Sequence, residues 1–254
     1  MKGLFLGDCM ELLDSVPEGS VDMLLTDPPY GYTECSWDTV LPLEAMWEKL
    51  RRAVKPDGAM LFFACGPFDK VLACSNLKEY RYDWVWRKDR AANFFMAKLK
   101  PLRVTENILV FYRGRPKYNP QMGTGKPYLR IEPAGRRIEY TGRDTREHLS
   151  DNKGTRYPKN LLEFVCVRES ETLGHPTQKP LALCEYLIRT YTAPGETVLD
   201  ICAGSGTTAA AAINSGRDWI AFEKDPRWHG TAAKRIAGAE AVYGRRLIKE
   251  TVCA

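Results

Sequence analysis

The sequence predicts an α/β fold built on a mainly parallel sheet, and three observations predict it. Strand-like and helix-like stretches alternate at both ends of the chain. Five of the strands end on a polar or reactive residue: Asp8, Asp27, Cys65, Asp200 and Glu223. The loop "AGSGTT" (203 to 208) places two glycines between a strand and a helix. Sheets of this kind bind ligands beyond the carboxyl ends of their strands. Solvation explains one acid at a strand end. Four acids with a glycine loop on one sheet edge point to a site.

The elements follow in order. "GLFLGD" (3 to 8) reads as a short strand, "CMELLDSV" as a short helix and "PEGS" as a turn. "VDMLLTD" (21 to 27) is the next strand. Residues 43 to 54 form an amphipathic helix, with Leu43, Met46, Trp47 and Leu50 on one stripe. "KPDG" (55 to 58) stops it. "AMLFFAC" (59 to 65) is a continuous apolar run, as in a strand covered on both faces, and a helix follows near 67 to 77. "RYDWVWRK" (81 to 88) and "TENILVFYR" (105 to 113) read as an antiparallel pair. From Gly114 to Gly174 periodicity fades into a stretch rich in Gly, Pro, Arg and Tyr, either an irregular inserted lobe or partly disordered. Pattern returns with a helical stripe of Cys184, Leu187, Ile188 and Tyr191, then the strand "ETVLD", the glycine loop, an Ala-rich helix, the strand "RDWIAFE" and a last amphipathic helix.

Composition narrows the function classes. The chain has 254 residues, 44% apolar and 27% charged, as expected of a soluble globular protein. No apolar run reaches the length of a membrane span, and the acidic "GDCMELLD" near the start is unlike a signal peptide. The eight cysteines show no C-x-x-C spacing, which fits reduced thiols in a cytoplasm. His148, His175 and His229 show no metal-ligand spacing, so no metal is expected. From Arg81 to Lys159 there are 19 Lys/Arg against 8 Asp/Glu, a balance of +11, while the rest of the chain carries −6. That excess suits a polyanionic partner.

The glycine loop lacks G-K-[ST], so it is not a triphosphate-binding loop. Gly204 and Gly206 let a backbone approach a ligand, Asp200 ends the strand before them, and Glu223 ends the next strand where an acid can accept hydrogen bonds from ribose hydroxyls. These features fit an adenosine-bearing cofactor, with a dinucleotide as the alternative.

"DPPY" (27 to 30) narrows the choice. A planar exocyclic amine on a nucleobase is a poor nucleophile because its lone pair is delocalised. Two acceptors on its N–H bonds favour a pyramidal nitrogen. Asp27 and the Pro28 carbonyl can supply them. Pro28 and Pro29 fix φ and carry no N–H, which stiffens the loop. Tyr30 offers a flat face for stacking.

With these motifs the chain resembles the amino-group DNA methyltransferases that use S-adenosylmethionine, in the β-class motif order. The resemblance covers almost the whole chain. "DPPY" matches the catalytic motif, "HPTQKP" (175 to 180) the motif before the cofactor strand, "LDICAGSGTT" the cofactor loop, "GDCMELL" the first segment and "TENILVFYR" the late strand. Ile201 and Cys202 replace the Pro-Phe of the family pattern. The resemblance implies a Rossmann-like class I methyltransferase fold, circularly permuted, with an antiparallel strand pair. It divides the chain into a catalytic half (1 to 113), a small target-recognition insertion (114 to 174) and a cofactor-binding half (175 to 254). Ala203, Gly204, Ser205, Gly206 and Thr207 would wrap the methionine part of the cofactor beside Asp200. Lys179 would lie near its carboxylate, Glu223 would hold the ribose and Asp8 would meet the adenine amine. Asp at the first motif position favours N6-adenine over N4-cytosine.

A base inside a duplex must be flipped out to reach such a clamp. Double-stranded DNA is therefore the expected partner, held by Lys88, Arg90, Lys98, Lys100, Arg103, Arg136 and Arg137 among the aromatics of the basic segment. The small lobe favours a short recognition sequence or the help of a second subunit in a homodimer. A DNA-binding subunit that has lost catalysis is the alternative from another class. Intact "DPPY" and "AGSGTT" speak against it.

Overall fold

Among the described residues eight strands form one sheet, in the spatial order β1 (Gly3–Leu6), β14 (Asp218–Glu223), β13 (Thr197–Asp200), β2 (Val21–Thr26), β3 (Val54–Ala64), β5 (Arg103–Phe111), β4 (Tyr80–Ala92) and β12 (Leu161–Glu163). In the computed structural model residues 1–32, 38–132, 137–138, 143–144, 147–168, 172, 174 and 177–252 are described. The helices are α1 (Cys9–Leu12), α2 (Leu43–Ala53), α3 (Phe68–Ser75), α4 (Leu181–Tyr191), α5 (Thr207–Asn214) and α6 (Pro226–Val252). Short ladders β6 (Gly123–Thr124), β7 (Tyr128–Glu132), β8 (Arg137–Ile138), β9 (Arg143–Asp144), β10 (His148–Asn152) and β11 (Thr155–Arg156) pair among themselves.

The five strands from β1 to β3 run parallel, and β5 lies antiparallel to both β3 and β4. From β13 the chain winds outward through β14 on one side, and from β2 through β3 on the other. Winding reverses between β13 and β2, where Val198 and Leu199 face Met23 and Leu24. Ligands of doubly wound sheets bind at such a reversal. The chain enters at the edge strand β1 and supplies the glycine-loop strand β13 late, which is the permuted order the sequence predicts.

Both faces of the sheet are covered. Met23, Leu25, Leu61, Phe63 and Val198 pack on one face with α4, α5 and α6. Leu24, Met60, Phe62, Leu199 and Phe222 pack on the other with α1, α2 and α3. Two covered faces explain the unbroken apolar runs in β2 and β3. The stripe on α2 seats Trp47 against Phe62 and Phe111, with ring centroids 5.2 and 4.8 Å away. Its indole N–H donates to Ser75 Oγ at 2.8 Å. Burying side chains of this size contributes roughly 1.5–3 kcal/mol each.

Three boundaries differ from the sequence reading. "KPDG" does not separate helix from strand. Val54 already pairs with Val21, and a register shift before Met23 absorbs the exposed turn. Gly58 is needed there, since a Cβ would lie 2.6 Å from Val54 Cγ1 and 2.9 Å from the Asp22 carbonyl. β4 runs on to Ala92, past the expected Lys88. Leu161–Glu163 joins the main sheet parallel to β4, although three residues carry too little periodicity to be read as a strand.

The chain divides into two compact units, Met1–Asn119 with Asn160–Ala254, and Pro120–Lys159. The second lies inside the 114 to 174 interval. At its borders, on the larger unit, the Asn119 N–H donates to the Thr190 carbonyl and the Asn160 carbonyl accepts from the Val85 N–H, each at 2.7 Å. Among the described residues no helix is long and apolar enough to cross a membrane.

Candidate active site

The glycine loop turns directly off β13. Gly204 and Gly206 have φ of +52° and +75°, a region glycine enters without cost. A Cβ on Gly206 would lie 3.0 Å from Ala232 Cβ and 3.1 Å from its Cα. This glycine therefore lets α6 close over the loop, a role sequence reasoning had given to ligand approach alone. Glu223 Oε2 accepts the Gly204 N–H at 2.7 Å, and Oε1 accepts that of Asp225 at 2.8 Å. Burial raises the Glu223 carboxyl above the usual range, against the pull of these amides. Arg235 of α6 donates to Thr207 Oγ1 at 2.8 Å and Ser205 Oγ at 3.2 Å. Ala203 packs in the core beneath.

Asp8 ends the turn after β1. Its Oδ1 caps α1 at the Met10 N–H (2.9 Å) and its Oδ2 pairs with Lys224 (2.9 Å). Lys224 first, then the Met10 amide, holds its carboxyl below the usual range. Asp200 is only 4% exposed. It accepts from Thr26 Oγ1 at 2.8 Å and from the Cys202 N–H at 3.1 Å. It thus straps the glycine loop to the end of β2, one residue before Asp27.

The "DPPY" turn is held from outside as well as by its prolines. Asp38 accepts the N–H groups of Tyr30, Gly31 and Tyr32 at 2.7, 2.8 and 2.8 Å. Pro28 is buried and Pro29 half-buried. One face of the Tyr30 ring stacks on Phe68, with centroids 5.1 Å apart and planes at 23°. The Tyr30 hydroxyl donates to Asp27 Oδ1.

Lys179, which the resemblance places near the carboxylate of the cofactor, meets the acids of the site. Its ammonium pairs with Asp27 Oδ2 and lies 3.2 Å from Glu106 Oε1, over the Phe63 ring. Glu106, on β5, pairs through Oε2 with Lys88 of β4 at 2.6 Å. Two acids and two lysines thus alternate in a chain, Asp27–Lys179–Glu106–Lys88, and their side chains are 25%, 11%, 7% and 15% exposed. Burial raises Asp27, and Glu106 adds to that while Lys179 opposes it. Burial works against the Glu106 charge too, but Lys179 and Lys88 outweigh it and the carboxyl is lowered. Lys179 is raised, because the two acids outweigh its burial.

Lys88 is therefore committed inside the site. Expected among the DNA contacts, it is paired with Glu106 and lies over the Trp86 ring. Arg90 is exposed and donates to the Val167 carbonyl. Lys98 and Lys100 are exposed on the loop between β4 and β5, with Phe94 and Phe95 79% and 83% exposed beside them. Arg103 is half-buried near Cys65, whose thiol burial pushes up. Arg136 lies outside the described residues, and Arg137 is placed only as backbone in β8. His175 and Pro176 of "HPTQKP" also lie outside them. Sequence reasoning missed Asp38, Glu106 and Arg235. Glu106 stood inside a quoted motif, while the other two carry no local signal.

A family model described as DNA methylase matches residues 21–234. The DNA adenine methyltransferase YhdJ of Escherichia coli (strain K12) is 29% identical over 98% of this chain and 87% of its own length. The type II methyltransferase M.PvuII of Proteus hauseri is 25% identical over 92% and 83%. Its solved structure, titled as cytosine-N4-specific, superposes with a TM-score of 0.66 over 96% of this chain and 91% of that one at 20% identity. The M1.HpyAVI–SAM complex gives 0.66 over 93% and 99% at 24% identity. At those identities the two structures speak for the fold.

Proposed function

The chain belongs to the DNA methylase family, and from that premise we propose that it is a site-specific enzyme methylating the exocyclic N6 amine of adenine in double-stranded DNA, with S-adenosylmethionine as donor. The observation that carries this reading is the position of Asp27. It ends β2 at the reversal of the sheet, tied through Thr26 and Asp200 to the glycine loop.

The residues at the sheet edge fit the donor. Its ribose diol and adenine amine are hydrogen-bond donors, and the carboxylates of Glu223 and Asp8 stand at neighbouring strand ends. Its own carboxylate needs donors, and Ser205, Thr207 and Arg235 cluster at the start of α5. Bound S-adenosylmethionine supplies a methyl group activated on a sulfonium. The chain's part is to hold a flipped base, accept its amine N–H at Asp27 and exclude water. Asp38 and the prolines keep the acceptors preorganised, which is where much of such catalysis resides. The exposed Phe94 and Phe95 beside Lys98 and Lys100 suit a strand whose bases are unstacked.

Adenine is favoured by Asp at the first motif position and by the name of the relative YhdJ. The second reading, N4-cytosine, rests on the match to M.PvuII, whose structure is titled cytosine-N4-specific. Long-read sequencing and nucleoside mass spectrometry of DNA from an expressing, methylation-deficient host decide between N6-methyladenine and N4-methylcytosine. Asp27→Ala should lower single-turnover methyl transfer by about 10²–10³ or more, with calorimetric cofactor affinity almost unchanged. Near-normal transfer by that variant would remove Asp27 from the chemistry.

A further inference from the structure

Both oxygens of Asp27 are already taken, Oδ1 by the Tyr30 hydroxyl and Oδ2 by the Lys179 ammonium. Each oxygen has a lone pair left, but a target amine would meet a carboxylate whose charge the Lys179 ammonium already neutralises. Tyr30 is held in place by its stack on Phe68 and by Asp38 on its amide. Lys179 has somewhere to go, since Glu106 Oε1 is 3.2 Å from its nitrogen.

We propose that Lys179 is a movable counter-ion, which neutralises Asp27 until a target amine displaces it and then withdraws onto Glu106, itself fixed by Lys88. This deepens the methyltransferase reading and rests on it. The withdrawal keeps Lys179 paired, because Glu106 is already within reach, while Asp27 exchanges its cation for the N–H of the incoming amine. A buried ammonium without a partner would be strongly destabilised, so an acid beside Asp27 is required if Lys179 is to leave it. The move also sharpens Asp27. A carboxylate whose cation has shifted to a neighbour is a stronger acceptor for the incoming N–H. Glu106 and Lys88 touch neither base nor donor in this scheme and are positioning residues. The other groups facing Asp27 are Tyr30 on its own turn, Asp200 on β13 and Cys184 on α4. Cys65 faces Glu106, with Arg103 beside Cys65.

The test compares wild type with Glu106→Gln, Glu106→Asp, Lys179→Met and the double variant Glu106→Gln/Lys179→Met. The substrate is duplex DNA from a methylation-deficient host, and the readouts are single-turnover rate against pH, cofactor affinity and melting temperature. Glu106→Gln leaves Lys179 only Asp27, so the rate should fall about tenfold or more with cofactor affinity unchanged. Its acid limb should move to lower pH, because Asp27 loses a like-charged neighbour and keeps its cation. A slower enzyme with a more readily ionised Asp27 is not what loosened packing produces. Lys179→Met should also be slow, since Asp27 and Glu106 then face each other without a cation between them. The double variant should recover about fivefold or more over Glu106→Gln, because no cation is left on Asp27.

A double variant no faster than Glu106→Gln, or an acid limb that stays put, would overturn the proposal. If Glu106→Gln does not fold, Glu106→Asp carries the test. It keeps the charge at shorter reach, so slowing supports the counter-ion role and a wild-type rate overturns it. Wild-type transfer to the same DNA is the control. Its absence would sink the methyltransferase reading itself, whereas its presence leaves the variants to judge Lys179 alone.

Discussion

Asp200 shows how one buried side chain can set a pH dependence. Burial pushes its carboxyl up to about 6, against the bonds from Cys202 and Thr26. The folded protein therefore holds this proton more tightly than the unfolded chain does. The resulting stability is fully present below the unfolded value near 3.8 and is lost as pH rises through about 6. A shift of this size corresponds to about 3 kcal/mol across that window. Asp200→Asn cannot ionise and keeps an oxygen for Thr26. Urea unfolding from pH 4 to 8 should show wild type losing stability relative to this variant as pH rises. A constant difference would mean that Asp200 titrates as an ordinary carboxylate. At this scale the sequence was partly legible. The acids stood out because each closes an apolar run. The partners of Lys179 were hidden, because Asp27 and Glu106 lie far from it in the chain and meet it only across the folded sheet. Arg235 was hidden for the same reason, as one basic residue on the amphipathic helix α6.

The meeting of the glycine loop with α6 sets a limit on Gly206. Adding a Cβ at φ +75° introduces backbone strain and a contact 3.0 Å from Ala232 Cβ. Gly206→Ala should cost about 1–3 kcal/mol, the strain being roughly 1–2 of that. Ala232→Gly should relieve only the Cβ part of the contact and leave both the strain and the approach to the Ala232 Cα and carbonyl oxygen at 3.1 and 3.3 Å. Denaturant unfolding of both single variants and the pair measures this coupling. Strict additivity would show that the Cβ–Cβ contact carries none of the cost. Elements such as α2, α4 and β2 were legible because periodicity and burial agree in them. β12 was not, because its strand character comes from lying beside β4 rather than from its own three residues. "KPDG" misled because proline and glycine also serve a bulge inside a strand, where Gly58 leaves room for the Asp22 carbonyl.

Over the whole molecule, charge is divided along the chain, with +11 between Arg81 and Lys159 and −6 elsewhere. If the basic segment meets phosphates, DNA affinity should fall linearly with salt on logarithmic axes, by about 10³ between 50 and 200 mM for some six contacts. Fluorescence anisotropy over a salt series measures the slope, and a salt-independent affinity would remove DNA as the partner. Reversing Arg136 and Arg137 to Glu should lower that slope or change site choice while cofactor affinity stays the same. The smaller unit, Pro120–Lys159, adds a different kind of consequence. The bonds at its two seams include backbone pairs, from Asn119 to Thr190 and from Val85 to Asn160, and bonds from the Asn119 and Asn160 side chains to main-chain carbonyls. Such bonds do not depend on which side chains lie between the seams. Exchange of that stretch of the gene by recombination would keep these backbone bonds in place. If the stretch is the target-recognition insertion, lineages could then diverge in the words they mark while inheriting one unchanged pen.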